Sequence, residues 1–353
     1  MILHWDITLS LSMLKIAING YGRIGRNVLR AWVERGCPQA LQFVAINDLG
    51  DAHTLMHLTR YDSTHGRFTG TANLEQSNLV LQPKDCESYY HISLLQQPKP
   101  ELLPWHDLDV DVVLECTGLF RAKAEAARHL EAGAKKVIIG AAPFDEVDAT
   151  IVYGVNHQQL THEQKIISSV SCTTHALVPL MKILDEEFVI ESALMTEIHA
   201  FTSDQVLLDH THRDLRRGRA AAHNIIPTTS SSIGALKRVL PHLADKIAGY
   251  SIRVPTLNVA AIDLSFVAQK PMTVAAINAL FKQKSANEYH EILNYCDEWL
   301  VSSDFNHSPY SLIFDATETK VVGQQAKVLA WYDNEWGYAN RLLDLCLVLA
   351  KMR

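Results

Sequence analysis

The chain has few cysteines and no pairs among them. Six are scattered through 353 residues, at 37, 86, 116, 172, 296 and 346, with no C-x-x-C spacing. That scatter argues against a disulfide framework and against a zinc site, and it favours a reducing, cytoplasmic setting with no structural metal. No apolar run approaches the ~20 residues that a membrane-spanning helix needs. Positive charge is not in surplus either: 32 Lys and Arg against 39 Asp and Glu leave a formal net charge of −7. Without a basic field to gather phosphate backbones or anionic lipid, neither nucleic acid nor membrane is expected as a partner. Internal repeats and low-complexity tracts are absent. The N-terminus lacks both the basic start and the apolar segment of a signal peptide, so residues 1–12 read as a disordered extension ahead of Met13.

What remains is an ordinary globular composition, 48% hydrophobic and 20% charged, long enough for two domains. From Lys15 to about Val170, β-rich runs alternate with helical patterns. The runs are KIAIN (15–19), QFVAIN (42–47), VDVVLEC (110–116), KKVIIG (135–140), ATIVYGVN (149–156) and KIISSVS (165–171). Amphipathic segments lie between them, one closed by Gly36 and another by Gly133. Such alternation predicts an α/β unit over 13–170 with a parallel sheet covered on both faces. Beyond Cys172 the strands lengthen, as in SIRVPTLNVAAIDLSFVAQ (251–269), and an α+β unit with an antiparallel sheet is expected over 171–332. Residues 333–353 contain LLDLCLVLAKM, whose helical spacing suits a return to the first unit.

Gly20-x-Gly22-x-x-Gly25 follows the KIAIN run directly and opens a helix. That context is what makes the pattern a dinucleotide signature. The glycines permit a tight turn and a close approach of backbone to pyrophosphate, and the helix N-terminus supplies N–H donors and positive dipole. Asp48 ends the next strand, where a carboxylate can hold both ribose hydroxyls and repel a 2′-phosphate, so NAD is expected over NADP. Thr117-Gly118 ends a further strand and suits backbone contact with the same cofactor.

Cys172 stands where a strand runs into a helical pattern with Pro179 inside it, so its thiol is expected at a helix start that stabilises thiolate. His199 closes a probable strand in TEIHAFTSDQ and has the pKa range of an acid/base partner. Seventeen histidines in the chain make any one of them a weak candidate alone; Thr202 and Asp204 nearby strengthen this one. Arg217 and Arg253, with Thr173, Thr202, Ser230 and Ser231, could supply donors to anionic substrate groups.

These runs together resemble the phosphorylating glyceraldehyde-3-phosphate dehydrogenase superfamily from Lys15 to the C-terminus. The matching segments are KIAINGYGRIGRN, VAINDLGD, YDSTHGRF, ECTGLF, HLEAGAKKVI, SSVSCTTH, DLRRGRAA, SIRVPT, DFNHSP and WYDNEWGYANR. The resemblance implies a Rossmann NAD-binding domain followed by a catalytic domain. It implies Cys172 as nucleophile, forming a thioester, and His199 as its base. Asn19, Gly20, Gly22, Arg23, Ile24, Asp48, Thr117 and Asn334 would contact NAD. Thr202, Asp204 and Arg253 would surround the substrate's phosphate. Ser171, Thr173, Arg217, Ser230 and Ser231 would lie around a second anion site. Segment 200–226 resembles a loop that crosses to a neighbouring subunit, which implies a homotetramer acting on a small phosphorylated aldehyde.

Two sister activities compete within that resemblance. VDATIVYGVN, NVAAIDLS and DFNHSPYS look more like the branch that oxidises D-erythrose 4-phosphate and releases its thioester with water, supplying pyridoxal-phosphate synthesis. The alternative is the phosphorylating glyceraldehyde-3-phosphate enzyme, and a non-catalytic NAD-binding protein is a distant third. Three departures bear on the choice. Ser231 stands where the phosphorylating pattern has glycine, and His175 stands where asparagine usually follows Cys-Thr-Thr, adding a possible proton or charge beside the nucleophile. His210-Thr211 replaces an apolar pair that helps select NAD, leaving that selection to Asp48.

Overall fold

A computed structural model describes residues 13–353; the extension expected over 1–12 lies outside the described residues. The strand Leu14–Asn19 is buried at nearly every position and sits inside a nine-stranded sheet. It pairs in parallel with Leu41–Asn47 on one side and Val112–Glu115 on the other. Lys136–Ile139, Ile166–Ser168 and Ala149–Thr150 extend the parallel side. Strands buried on both faces read as continuous apolar runs, which is why this half was legible in the sequence.

Two features differ from expectation. The ATIVYGVN run forms a strand only at Ala149–Thr150 and then turns, with Gly154 at φ +84°. On the opposite edge, Gly70–Glu75, Asn78–Pro83 and Tyr90–Leu95 add an antiparallel meander that no expected run covered. The helices behave as read. Arg23–Glu34 ends at Gly36, φ +76°, and Lys123–Glu131 ends at Gly133, φ +103°; both glycines take the left-handed conformation that closes a helix.

The second sheet has seven strands in six pairings, four of them antiparallel as expected and two parallel. Ile190–Ala200 pairs antiparallel with Ala260–Ala268 but parallel with Ile247–Val254, and Leu293–Cys296 runs parallel to Leu312–Val322. The parallel pair requires a crossover, supplied by the long connection after Ala200 and the helix Ser232–Val239. Helix Trp336–Lys351 buries Leu342, Leu343, Leu345, Cys346 and Leu349 in the same core as Val28, Leu29 and Trp32. Helix Cys172–Phe188 lies on the other sheet's core, and Cys172 itself packs against both. Among the described residues no helix is long and apolar enough to cross a membrane.

Candidate active site

The first strand ends in a turn that only glycine can make. Gly20 has φ +91°, and a Cβ there would lie 2.6 Å from the backbone nitrogen of Thr117; a Cβ on Gly25 would fall 2.2 Å from the Gly20 carbonyl oxygen. Space remains open at Gly22, which caps the helix Arg23–Glu34. Asn19, Gly20, Gly22, Asp48 and Thr117 line one cavity of about 300 Å³ there. Asp48 is fixed by two backbone donors, Tyr21 N–H at 2.7 Å and Gly50 N–H at 2.8 Å. Asn19 ties strand ends together, donating to Glu115 at 2.6 Å and accepting from Asn47 at 2.7 Å. Gly118 carries the turn at φ +73° without lining the cavity.

A second cavity of about 490 Å³ opens at the seam between the two sheets. Arg23, Ile24, Ser171, Cys172, Thr173, His199, Thr202, Arg217, Ser230, Ser231, Arg253 and Asn334 all line it. The guanidinium of Arg23 is shared by Asp62 and Glu335. Asn334 leaves its Oδ1 buried without a partner, an acceptor suited to the amide N–H of a nicotinamide. With the glycine cradle, the residues present fit NAD at this pair of cavities.

Cys172 is the first residue of its helix because Ser171 caps it, its Oγ accepting from Thr174 N–H at 3.2 Å. His199 comes from the facing strand Ile190–Ala200, paired across the ladder with Arg253. Cys172 Sγ lies 3.6 Å from His199 Nε2. On the far side of the ring, Nδ1 lies 2.6 Å from the Ala200 carbonyl oxygen and 2.8 Å from Arg253 Nη1.

The helix start does not yield a standing thiolate. Burial pushes the Cys172 thiol up to about 11, and the Glu197 carboxylate adds to the rise; Thr173 and Arg253 oppose it. Burial pushes His199 down to about 3, with the Arg253 charge adding to the fall. A neutral thiol therefore faces a neutral imidazole, and each ion alone is disfavoured.

Asp204 is not grouped with Thr202 and Arg253 as the resemblance implies. Its carboxylate pairs with Arg217 and stands 3.7 Å from His212, outside the cavity lining; a carboxylate there orients a guanidinium where it would repel a phosphate. Arg217 also donates to Thr228 Oγ1 at 2.8 Å. His175 does not bring a charge to the sulfur. It turns away from the cavity, accepts from Tyr153 N–H at 3.4 Å, sits 3.2 Å from the Ser171 carbonyl oxygen, and is pushed down to about 3 by burial and the Arg341 charge.

Sequence reasoning missed Glu197, Arg121, Arg213 and Tyr338, which line the same cavity, and Tyr332, whose hydroxyl lies 2.8 Å from Thr173 Oγ1. Glu197 carried a signal: two residues before His199 on a strand, it must share that residue's face. The arginines carried none, since a lone arginine is usually a solvated charge.

A larger concavity of about 570 Å³, over Ile198, Ala261 and Trp299, carries Asp315 and Glu318 but no cysteine, histidine, lysine or arginine. Ile198 alternates with His199 along the strand, so that hollow lies on the opposite face of the sheet.

Comparison with known proteins agrees with the geometry. Residues 14–123 match the family model described as glyceraldehyde 3-phosphate dehydrogenase, NAD binding domain, and residues 171–334 match the model described as the C-terminal domain of the same enzyme. The chain is 51% identical over 340 residues to a Cupriavidus necator protein named glyceraldehyde-3-phosphate dehydrogenase, plasmid, covering 96% of this chain and 99% of the relative. It is 50% identical over the same length to that organism's chromosomal counterpart, with the same coverage. The chain thus belongs to the glyceraldehyde-3-phosphate dehydrogenase family and is an NAD-dependent dehydrogenase.

Proposed function

We propose that this chain oxidises glyceraldehyde 3-phosphate through a thioester on Cys172 and releases the acyl group to inorganic phosphate. The observation that carries the reading is the 3.6 Å contact between Cys172 Sγ and His199 Nε2, inside a cavity that also holds Arg217 and Arg253. The names of relatives at 50–51% identity support this aldehyde over erythrose 4-phosphate.

His199 Nε2 takes the thiol proton as Sγ attacks the aldehyde carbon, so the two disfavoured charges form only together and only 3.6 Å apart. The imidazolium gives that proton to the hemithioacetal oxygen, and the neutral ring takes it back when hydride leaves. NAD supplies the hydride acceptor. Asn334 and the glycine turn orient it, Arg253 and Thr202 hold the substrate's phosphate, and Arg217, Ser230 and Ser231 hold the acceptor.

The exposed connection after Ala200 carries Leu207, Leu208 and Leu215 at 72–87% exposure. Apolar side chains this open suit burial against a neighbouring subunit of a homotetramer. Six free cysteines suit a cytoplasmic setting.

A second reading, erythrose 4-phosphate oxidation with water as acceptor, is favoured by one observation: Thr173 gives its hydroxyl hydrogen to Glu197 and so has none for an acceptor phosphate. Steady-state NADH formation with each aldehyde, with and without phosphate, tests the proposal. It expects a higher kcat/KM for glyceraldehyde 3-phosphate and acceleration by phosphate. Preference for erythrose 4-phosphate with no effect of phosphate would overturn it.

A further inference from the structure

Glu197 leaves the strand Ile190–Ala200 on the same face as His199 and lines the cavity that holds Cys172. It is only 2% exposed. Its Oε1 accepts from Thr173 Oγ1 at 2.8 Å and lies 4.0 Å from His199 Nε2, whereas its Oε2 is buried without any hydrogen-bond partner. Leaving a buried carboxylate oxygen unpaired is costly, and the two hydroxyls on its Oε1 side, Thr173 and Tyr332, have no hydrogen to spare. The single hydroxyl hydrogen of Thr173 is committed to Oε1, so Tyr332 must donate to Thr173 Oγ1 across their 2.8 Å contact. The cavity that Glu197 lines is where a donor can reach Oε2.

An acceptor phosphate meets two obstacles here, a fixed carboxylate and a threonine hydroxyl with no hydrogen to give. A water molecule meets the reverse: an acceptor waiting for its O–H, beside the sulfur that carries the acyl group. We infer that Glu197 is a catalytic residue of acyl release, the general base for a water that competes with phosphate for the thioester on Cys172. The inference rests on the thioester reading above and adds a hydrolytic branch to it.

The step balances without any redox change. The water oxygen bonds to the thioester carbon while its proton passes to Glu197. Collapse of the tetrahedral adduct breaks the carbon–sulfur bond, the sulfur leaves as thiolate, and the proton on Glu197 returns to it. The products are the free acid, which ionises, and the original thiol.

The test separates release from oxidation. The full-length protein is acylated with glyceraldehyde 3-phosphate and NAD in phosphate-free buffer and freed of excess aldehyde. Decay of the acyl-enzyme is then followed with and without phosphate, in the parent, Glu197→Gln and Glu197→Thr. The expected result is phosphate-free decay slowed about 100-fold in both variants, with discharge by phosphate retained and the product shifted from free acid to acyl phosphate. Undiminished phosphate-free decay in the two variants overturns the inference. So does loss of acylation in variants that still bind NAD, because Glu197 would then act before release, and so does equal slowing of both routes, the mark of a structural role. A parent protein that forms no acyl-enzyme refutes the thioester reading itself, an outcome distinct from the others.

Discussion

Arg253 Nη1 lies 2.8 Å from His199 Nδ1. A guanidinium can only donate, so this contact asks Nδ1 for a lone pair and leaves the proton of the neutral ring on Nε2, facing the sulfur. The Ala200 carbonyl oxygen, 2.6 Å from the same Nδ1, asks for the opposite tautomer. Only the second leaves Nε2 free to accept the thiol proton. On the proposed reading, drawing Arg253 onto the substrate's phosphate would release the imidazole into its basic form and so link recognition of that phosphate to activation of Cys172.

Replacing Arg253 by leucine should separate these two effects. For the phosphorylated aldehyde, kcat/KM should fall about 10–100-fold, the value of one charge-assisted hydrogen bond. For an unphosphorylated aldehyde it should rise, since His199 then keeps its proton on the Ala200 side. Steady-state kinetics with both substrates gives the answer, and a parallel loss for the two would show that Arg253 does not control the tautomer.

Much of this site was legible because local rules write it. The turn at Gly20 is a steric demand, the start of the helix at Cys172 follows from the Ser171 cap, and a histidine closing a strand follows from periodicity. Pairings between distant segments left no such trace. The parallel pairings of Tyr90–Leu95 with Leu41–Asn47 and of Ile190–Ala200 with Ile247–Val254 depend on partners tens of residues away. The same holds for charge: helix position suggested a thiolate at Cys172, while burial by two cores and the nearness of Glu197 decide otherwise. Glu197 lay in plain view two residues from His199, but a glutamate in a strand reads first as a solvent-facing residue.

The thiol's reactivity should report that carboxylate directly. Because Glu197 raises Cys172, Glu197→Thr should move the pH profile of alkylation by iodoacetamide to lower pH and increase the rate near neutrality, where only the thiolate fraction reacts. His199→Asn should lower NADH formation in the first turnover by about 10²–10⁴-fold, the usual contribution of a general base. Peptide mapping of the alkylated cysteine, with the rate measured across pH, checks the first expectation. An unshifted profile in Glu197→Thr would place the carboxylate too far from the sulfur to matter.

His175 makes a claim about acid stability whose sign can be worked out. In the native protein burial and the Arg341 charge push it down to about 3 from an ordinary value of 6.5. Below about pH 6.5 the unfolded chain takes up a proton that the native state refuses until about pH 3, so stability falls as pH drops through that window. His199, lowered to about 3 as well, contributes in the same sense. Each such histidine adds at most about 1.4 kcal/mol per pH unit to the slope. His175→Asn removes one of them, so melting temperatures measured between about pH 7 and pH 5 should decline less steeply in the variant than in the parent. An equal decline in the two proteins would mean that the ring at 175 gains its proton in the native state as readily as in the unfolded one, against its burial beneath Tyr153 and Tyr338.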